Sequence, residues 1–93
     1  MREKNIERKL VEAVKSLGGI CPKWGSPGLD GVPDRIILLP GGRTAFAELK
    51  APGKKVRPLQ AARHKTLRRL GYKVYVIDGA EQIAPILEEI GGD

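Results

Sequence analysis

Apolar residues recur along this chain at two distinct spacings, and the spacings predict its elements. Ile6, Leu10, Ala13, Val14 and Leu17 fall three to four apart, the period of one buried helix face. They predict a helix from about Arg2 to Leu17, stopped by Gly18 and Gly19. Ile20 to Trp24 reads as a short strand, and Gly25-Ser26-Pro27-Gly28 with Gly31 reads as a loop. Two β-type runs follow, Asp34 to Leu39 and Thr44 to Lys50, around a Pro-Gly-Gly sequence whose glycines supply the positive φ of a hairpin turn. Pro58 opens a second helix, with Leu59, Ala62, Thr66, Leu67 and Leu70 as its buried stripe and Gly71 as its stop. Tyr72 to Asp78 alternates as a strand. Glu81 to Ile90 reads as a closing helix buried through Ile83, Ile86, Leu87 and Ile90, in which Pro85 demands a kink or a late start. The order α-β-β-β-α-β-α defines an α/β fold, a mixed sheet flanked by helices.

Polar residues break this pattern within the hairpin. Asp34 stands at the mouth of one apolar run, and Glu48 and Lys50 stand at the far end of the next. Side chains alternate across a strand, so Glu48 and Lys50 share a face with Phe46. With Pro40, Gly41 and Gly42 as a three-residue loop, Asp34 lies directly opposite Glu48, their Cβ atoms about 4.5 to 5.5 Å apart. A two-residue Gly41-Gly42 loop would set Asp34 against Leu49 and send the acids to opposite faces. In the first register two carboxylates repel unless a cation lies between them. Mg²⁺ suits such a pair: it takes one or two protein carboxylates, keeps several waters and completes its shell with a substrate phosphate oxygen. A metal there would orient and acidify an attacking water, and Lys50 would polarise that water or stabilise the developing negative charge. Glu-X-Lys and Pro-Asp are each common as solvated strand-end charges. Together on one hairpin, interrupting apolar runs and followed by a basic segment, they point to a site.

Composition bounds the partners. Ninety-three residues with 41% hydrophobic suit a single domain, residues 1–93, with one modest core. No apolar run approaches the roughly 18 to 20 residues of a membrane helix. The N-terminus, charged from Arg2 onward, lacks the apolar stretch of a secretory signal, and a cytoplasmic protein is expected. Cys21, alone, reads as a small strand hydrophobe. The net charge of +6 is unevenly spread: Lys50, Lys54, Lys55, Arg57, Arg63, Lys65, Arg68, Arg69 and Lys73 follow one another with no Asp or Glu among them, whereas Asp78, Glu81, Glu88, Glu89 and Asp93 close the chain without a Lys or Arg. The basic stretch is the footprint of a phosphate-backbone binder, or else a solvated helix face that keeps the protein in solution.

Gly-Val-Pro-Asp at residues 31–34, Glu-Leu-Lys at 48–50 and Gln60 in the next helix resemble the PD-(D/E)xK nuclease superfamily and, more narrowly, the virus-type replication-repair (VRR) nuclease family. The likeness runs over nearly the whole chain: a first helix with an acidic start, the Pro-Gly-Gly-Arg hairpin, a loop with Pro52-Gly53, the Gln-bearing helix and the strand in LGYKVYVID. The resemblance implies a restriction-endonuclease-like core. It implies that Asp34 and Glu48 bind Mg²⁺ or Mn²⁺, with the backbone carbonyl of Leu49 completing the protein ligands, that Lys50 assists catalysis and that Gln60 orders the site. It also places an acid on the first helix: Glu3, within the apolar stripe, is favoured over Glu7 at its edge, while Glu12 points away, and either acid could instead serve the helix dipole alone. His64, one turn beyond Gln60, has no role in the family and reads as a DNA contact or a surface residue.

Lys54, Lys55, Arg57, Arg63, Arg68 and Arg69, with His64 among them, are the expected nucleic-acid contacts; such cations grip phosphates without reading bases, so recognition by shape is expected. Phe46, Trp24, Tyr72 and Tyr75 are too few for a single-strand stacking platform. Stand-alone members of the family look like homodimeric nucleases of branched DNA such as four-way (Holliday) junctions, where two symmetry-related sites cut two strands. The short chain leaves no room for an attached targeting domain, so a second subunit is the expected source of further surface. The WGSPGLDG loop reads as a mobile DNA-contacting or dimer element, or as a plain connector. The expectation is a metal-dependent, structure-selective endodeoxyribonuclease with no organic cofactor and no membrane partner. A second reading is a non-catalytic basic nucleic-acid-binding module whose acids are incidental.

Overall fold

The computed structural model describes residues 2–91. Helix α1 (Glu3–Ser16) is followed by strands β1 (Arg35–Leu39) and β2 (Arg43–Leu49), helix α2 (Pro58–Arg69), strand β3 (Lys73–Ile77), a 3₁₀ turn (Ala80–Gln82) and helix α3 (Ile83–Ile90). The sheet order is β1-β2-β3, antiparallel between the first two strands and parallel between the last two. Among the described residues no helix is long and apolar enough to cross a membrane.

The period of β2 divides the core. Ala45, Ala47 and Leu49 point to one side, where they pack with Ile37, Leu39 and Ile77 against Ile6, Leu10 and Val14 of α1 and Ile83, Leu87 and Ile90 of α3. Phe46 points to the other side and joins Leu67 of α2 and Val74, with Trp24 and Ile36 at the margin. Helix α1 ends one residue before its expected stripe does: Leu17 is the C-cap and is exposed, because Gly18 turns the chain at φ +84°. The amides of Gly19 and Gly18 then bond the carbonyls of Val14 and Lys15, closing the last turn in a Schellman motif. Pro85 falls in the first turn of α3, whose start is delayed by the 3₁₀ turn.

Two expectations need correction. Ile20 to Trp24 is not a regular strand: it meets β1 only through bridges at Ile20 with Leu38 and Lys23 with Arg35. Pro22 is the cause, since its carbonyl accepts from Ile36 but it has no N–H to return the bond, which removes one rung. The predicted stripe of α2 is also mostly outward. Leu59 and Leu70 are 53% and 63% exposed, and the buried residues of the helix are His64 and Leu67. The row Leu59, Ala62, Thr66, Leu70 lies about a third of a turn around the helix from the row Gln60, His64, Leu67. What β2 offers α2 beyond Phe46 is Glu48 and then Lys50, so the helix turns its polar row inward.

Candidate active site

The hairpin register pairs Arg35 with Ala47 and Leu39 with Arg43, leaving Pro40, Gly41 and Gly42 as the three-residue loop. Gly41 and Gly42 take φ of +83° and +75°, values that side-chain-bearing residues adopt only under strain. One step beyond Arg35 and Ala47, Asp34 stands opposite Glu48, as the odd-sized loop requires. A further step brings Leu49 opposite Pro33, which has no N–H to give the Leu49 carbonyl. The Leu49 amide, for its part, donates to Asp34 Oδ2 at 2.9 Å. Pro33 therefore frees a backbone oxygen at the point where the two acids meet.

Glu48 is 1% exposed, on the α2 face of the sheet. Its Oε2 accepts a hydrogen bond from Gln60 Nε2 at 2.9 Å and lies 3.7 Å from Lys50 Nζ. The other end of the Gln60 amide accepts from the Arg57 N–H at 3.0 Å, so one side chain caps the start of α2 and orients the acid. Burial, and then the neighbouring Asp34 carboxylate, push Glu48 up to about 7 against the opposing pull of Lys50. Two acids and one lysine leave this pocket short of positive charge.

His64 is the main correction at the site. It is 1% exposed rather than on the surface, so it is no DNA contact, and its Nε2 faces Glu48 Oε1 at 3.6 Å. Burial, and then Arg68, hold its pKa below the ordinary histidine value, so the imidazole is neutral at physiological pH. Sequence spacing put His64 on the same side as Gln60; only the rotation of α2 showed that this side faces inward.

Glu3 and Glu7 both line a cleft of about 350 Å³ with Pro33, Asp34 and Trp24. They differ in commitment. The Glu7 carboxylate accepts from Arg35 Nε at 2.9 Å, and the same guanidinium donates to the Cys21 carbonyl at 2.8 Å. Arg35 had no sequence signal beyond following Asp34, yet it locks α1 to the strand that carries the site. Cys21 is buried there, its thiol pushed up to about 11 by burial, in keeping with a packing role.

Of the expected nucleic-acid contacts, Lys54, Lys55, Arg57 and Arg69 are exposed. Arg63 and Arg68 spend part of their guanidinium on the protein, donating to the carbonyls of Asp30 and Val74, each at 2.8 Å. The Arg63 bond ties the 25–31 loop to α2, and Gly31 makes that approach possible: a Cβ there would lie 2.7 Å from the Leu59 carbonyl oxygen.

Two opposed carboxylates with a carbonyl lacking a ladder donor form a hard oxygen set that fits Mg²⁺ or Mn²⁺, and the charge-deficient Glu48 is the group a cation would relieve. Among the described residues no cluster of three or more His, Cys, Asp or Glu side chains is placed to hold a metal. The remaining ligands of a cation bound here would come from water and substrate.

This constellation on this fold defines a nuclease-type domain, and comparison with known proteins agrees. "Putative nuclease p44" of Acyrthosiphon pisum secondary endosymbiont phage 1 is 44% identical over 90 residues, covering 97% of this chain and 96% of that protein. A solved structure described as "VRR_NUC domain" superposes with a TM-score of 0.86 at 28% identity, over 95% of this chain and 97% of its own. No family profile matches the chain. The chain belongs to the VRR-NUC family of nuclease domains.

Proposed function

We propose that this protein is an Mg²⁺- or Mn²⁺-dependent endodeoxyribonuclease that cuts branched DNA, four-way junctions foremost, as a cytoplasmic homodimer. The observation that carries this reading is the Asp34 carboxylate close beside Glu48, one step beyond the paired hairpin, with Lys50 and Gln60 both on Glu48. Asp34, Glu48 and the Leu49 carbonyl would hold the ion, which when bound supplies Lewis-acid activation of water and neutralises charge on the phosphate. Lys50, 3.7 Å from Glu48 Oε2 and largely buried, holds its ammonium where it polarises the attacking water and faces the negative charge that grows as the P–O bond breaks. Gln60 keeps Glu48 in place. Glu3, the cleft acid without an ion-pair partner among the described residues, is the better candidate for the helix-borne acid, because Glu7 is neutralised by Arg35.

Lys54, Lys55, Arg57 and Arg69 would grip phosphates beside the site without reading bases, which supports selection by DNA shape. The exposed row of Leu59, Ala62 and Leu70 supports a second copy as partner. The test is incubation with junction, flap, splayed-arm and duplex DNA, with and without Mg²⁺ or Mn²⁺. Cleavage is expected only with metal and fastest on the junction; Asp34→Ala should lose it and still bind junction DNA. A wild-type protein that cuts none of these substrates ends the enzyme reading.

A further inference from the structure

We infer that His64 is a positioning residue: with Gln60, one helical turn earlier, it forms a two-pronged clamp from α2 that fixes the rotation of the Glu48 carboxylate. The terminal torsion of a glutamate is broad, so a single contact leaves the carboxylate free to rock about it. Gln60 Nε2 holds Oε2 at 2.9 Å. On the other oxygen, His64 Nε2 stands 3.6 Å away, and among the described residues Glu48 Oε1 and His64 Nε2 are the buried side-chain polar atoms without a hydrogen-bond partner. Buried polar atoms are costly to leave unpaired, and these two lie within 3.6 Å of each other, with the Asp34 carboxylate also close to Glu48. A shift of about half an ångström brings them to hydrogen-bond distance.

Residues i and i+4 lie on one helix face, so Gln60 and His64 reach the same carboxylate from successive turns. Lys50 approaches on the Oε2 side, whereas the imidazole stands on the Oε1 side. A leucine or phenylalanine would fill the space of His64 without an unpaired nitrogen; what the imidazole adds is a ring nitrogen 3.6 Å from Oε1, which donates to it when it carries the proton. The purpose of the clamp, to present Glu48 to a cation, rests on the nuclease reading above. The clamp itself does not.

The chain has one histidine, so two experiments read it directly. In metal-free protein, a long-range ¹H–¹⁵N spectrum of the imidazole reports which nitrogen carries the proton. We expect a neutral ring protonated at Nε2, with a changed signal in Glu48→Gln; protonation at Nδ1 alone overturns the clamp. Calorimetric titration with Mn²⁺, without DNA, is then compared across variants. His64→Phe keeps ring volume but no donor and should weaken Mn²⁺ binding by roughly 10- to 100-fold, the usual cost of losing a group that orients a metal ligand. His64→Gln, which restores an N–H, should recover most of it and stands in should His64→Phe fail to fold. Equal Mn²⁺ affinity in wild type, His64→Phe and His64→Gln refutes the clamp while leaving the nuclease reading intact. Absence of Mn²⁺ binding in wild type refutes the metal role of both, and the spectrum still decides whether the imidazole grips Glu48.

Discussion

The two faces of the sheet carry the same strands but opposite chemistry. Toward α1 and α3, β2 presents Ala45, Ala47 and Leu49 to a continuous apolar core. Toward α2 it presents Phe46, then Glu48, then Lys50, and the apolar cluster shrinks to Phe46, Leu67 and Val74. One face holds the fold together, and the other carries Asp34, Glu48, Lys50 and His64, of which Glu48 and His64 are buried. The lesson is one of division: a sheet this small keeps a charged site because a one-residue alternation separates it from the core.

Breaking the first face should have the larger effect on stability. Leu10, fully buried against the sheet, mutated to Ala should cost about 2–5 kcal/mol of unfolding free energy by urea titration. Glu48→Gln, on the second face, should leave the fold intact and eliminate cleavage of any substrate the wild type cuts. If Leu10→Ala is harmless, or Glu48→Gln unfolds the protein, the division fails.

A pH titration of stability sharpens the contrast, because the titrating groups with a burial penalty at the site lie on the α2 face. Glu48 has its pKa raised to about 7 by burial and by Asp34, so the folded state favours its protonated form. Its stabilising contribution is present below the unfolded value of 4.5 and is lost as pH rises through about 7. The full loss is on the order of 3 kcal/mol. His64 acts with the opposite sign: its pKa is lowered by burial and Arg68, so its contribution is lost as pH falls below 6.5. In urea titrations of metal-free protein from pH 4.5 to 8, the stability of wild type relative to Glu48→Gln should therefore fall steadily as pH rises. A constant difference would show that Glu48 is not held in its protonated form.

The smallest effect belongs to the exposed rim of the α2 face. Replacing Lys54, Lys55 and Arg57 with Gln should lower the slope of log affinity against log salt for duplex or junction DNA by about 0.9 for each phosphate no longer neutralised, with thermal stability within about 0.5 kcal/mol of wild type. An unchanged slope places the DNA elsewhere on the molecule.

Much of this was written in the chain. The stripe Ile6, Leu10, Val14 predicted α1, the Pro-Gly-Gly sequence predicted a hairpin whose three-residue form would set Asp34 against Glu48, and Pro85 predicted a kink or a late start in the last helix; each rests on a short-range period or on a residue with restricted φ. The second helix was misread because its leucines outnumber the apolar positions that β2 offers it. The Ile20 to Trp24 segment was misread because alternation does not reveal that Pro22 removes a donor from the ladder.

Sequence alone determined that Glu48 and Lys50 share a face and reduced the hairpin to two registers, since side-chain alternation and turn chemistry are local properties; the structure chose the three-residue loop. Tertiary structure alone decided that His64 faces inward and that Arg35 claims Glu7. Those outcomes depend on how α2 rotates about its axis and how α1 docks on β1, and both are set by packing between segments far apart in the chain.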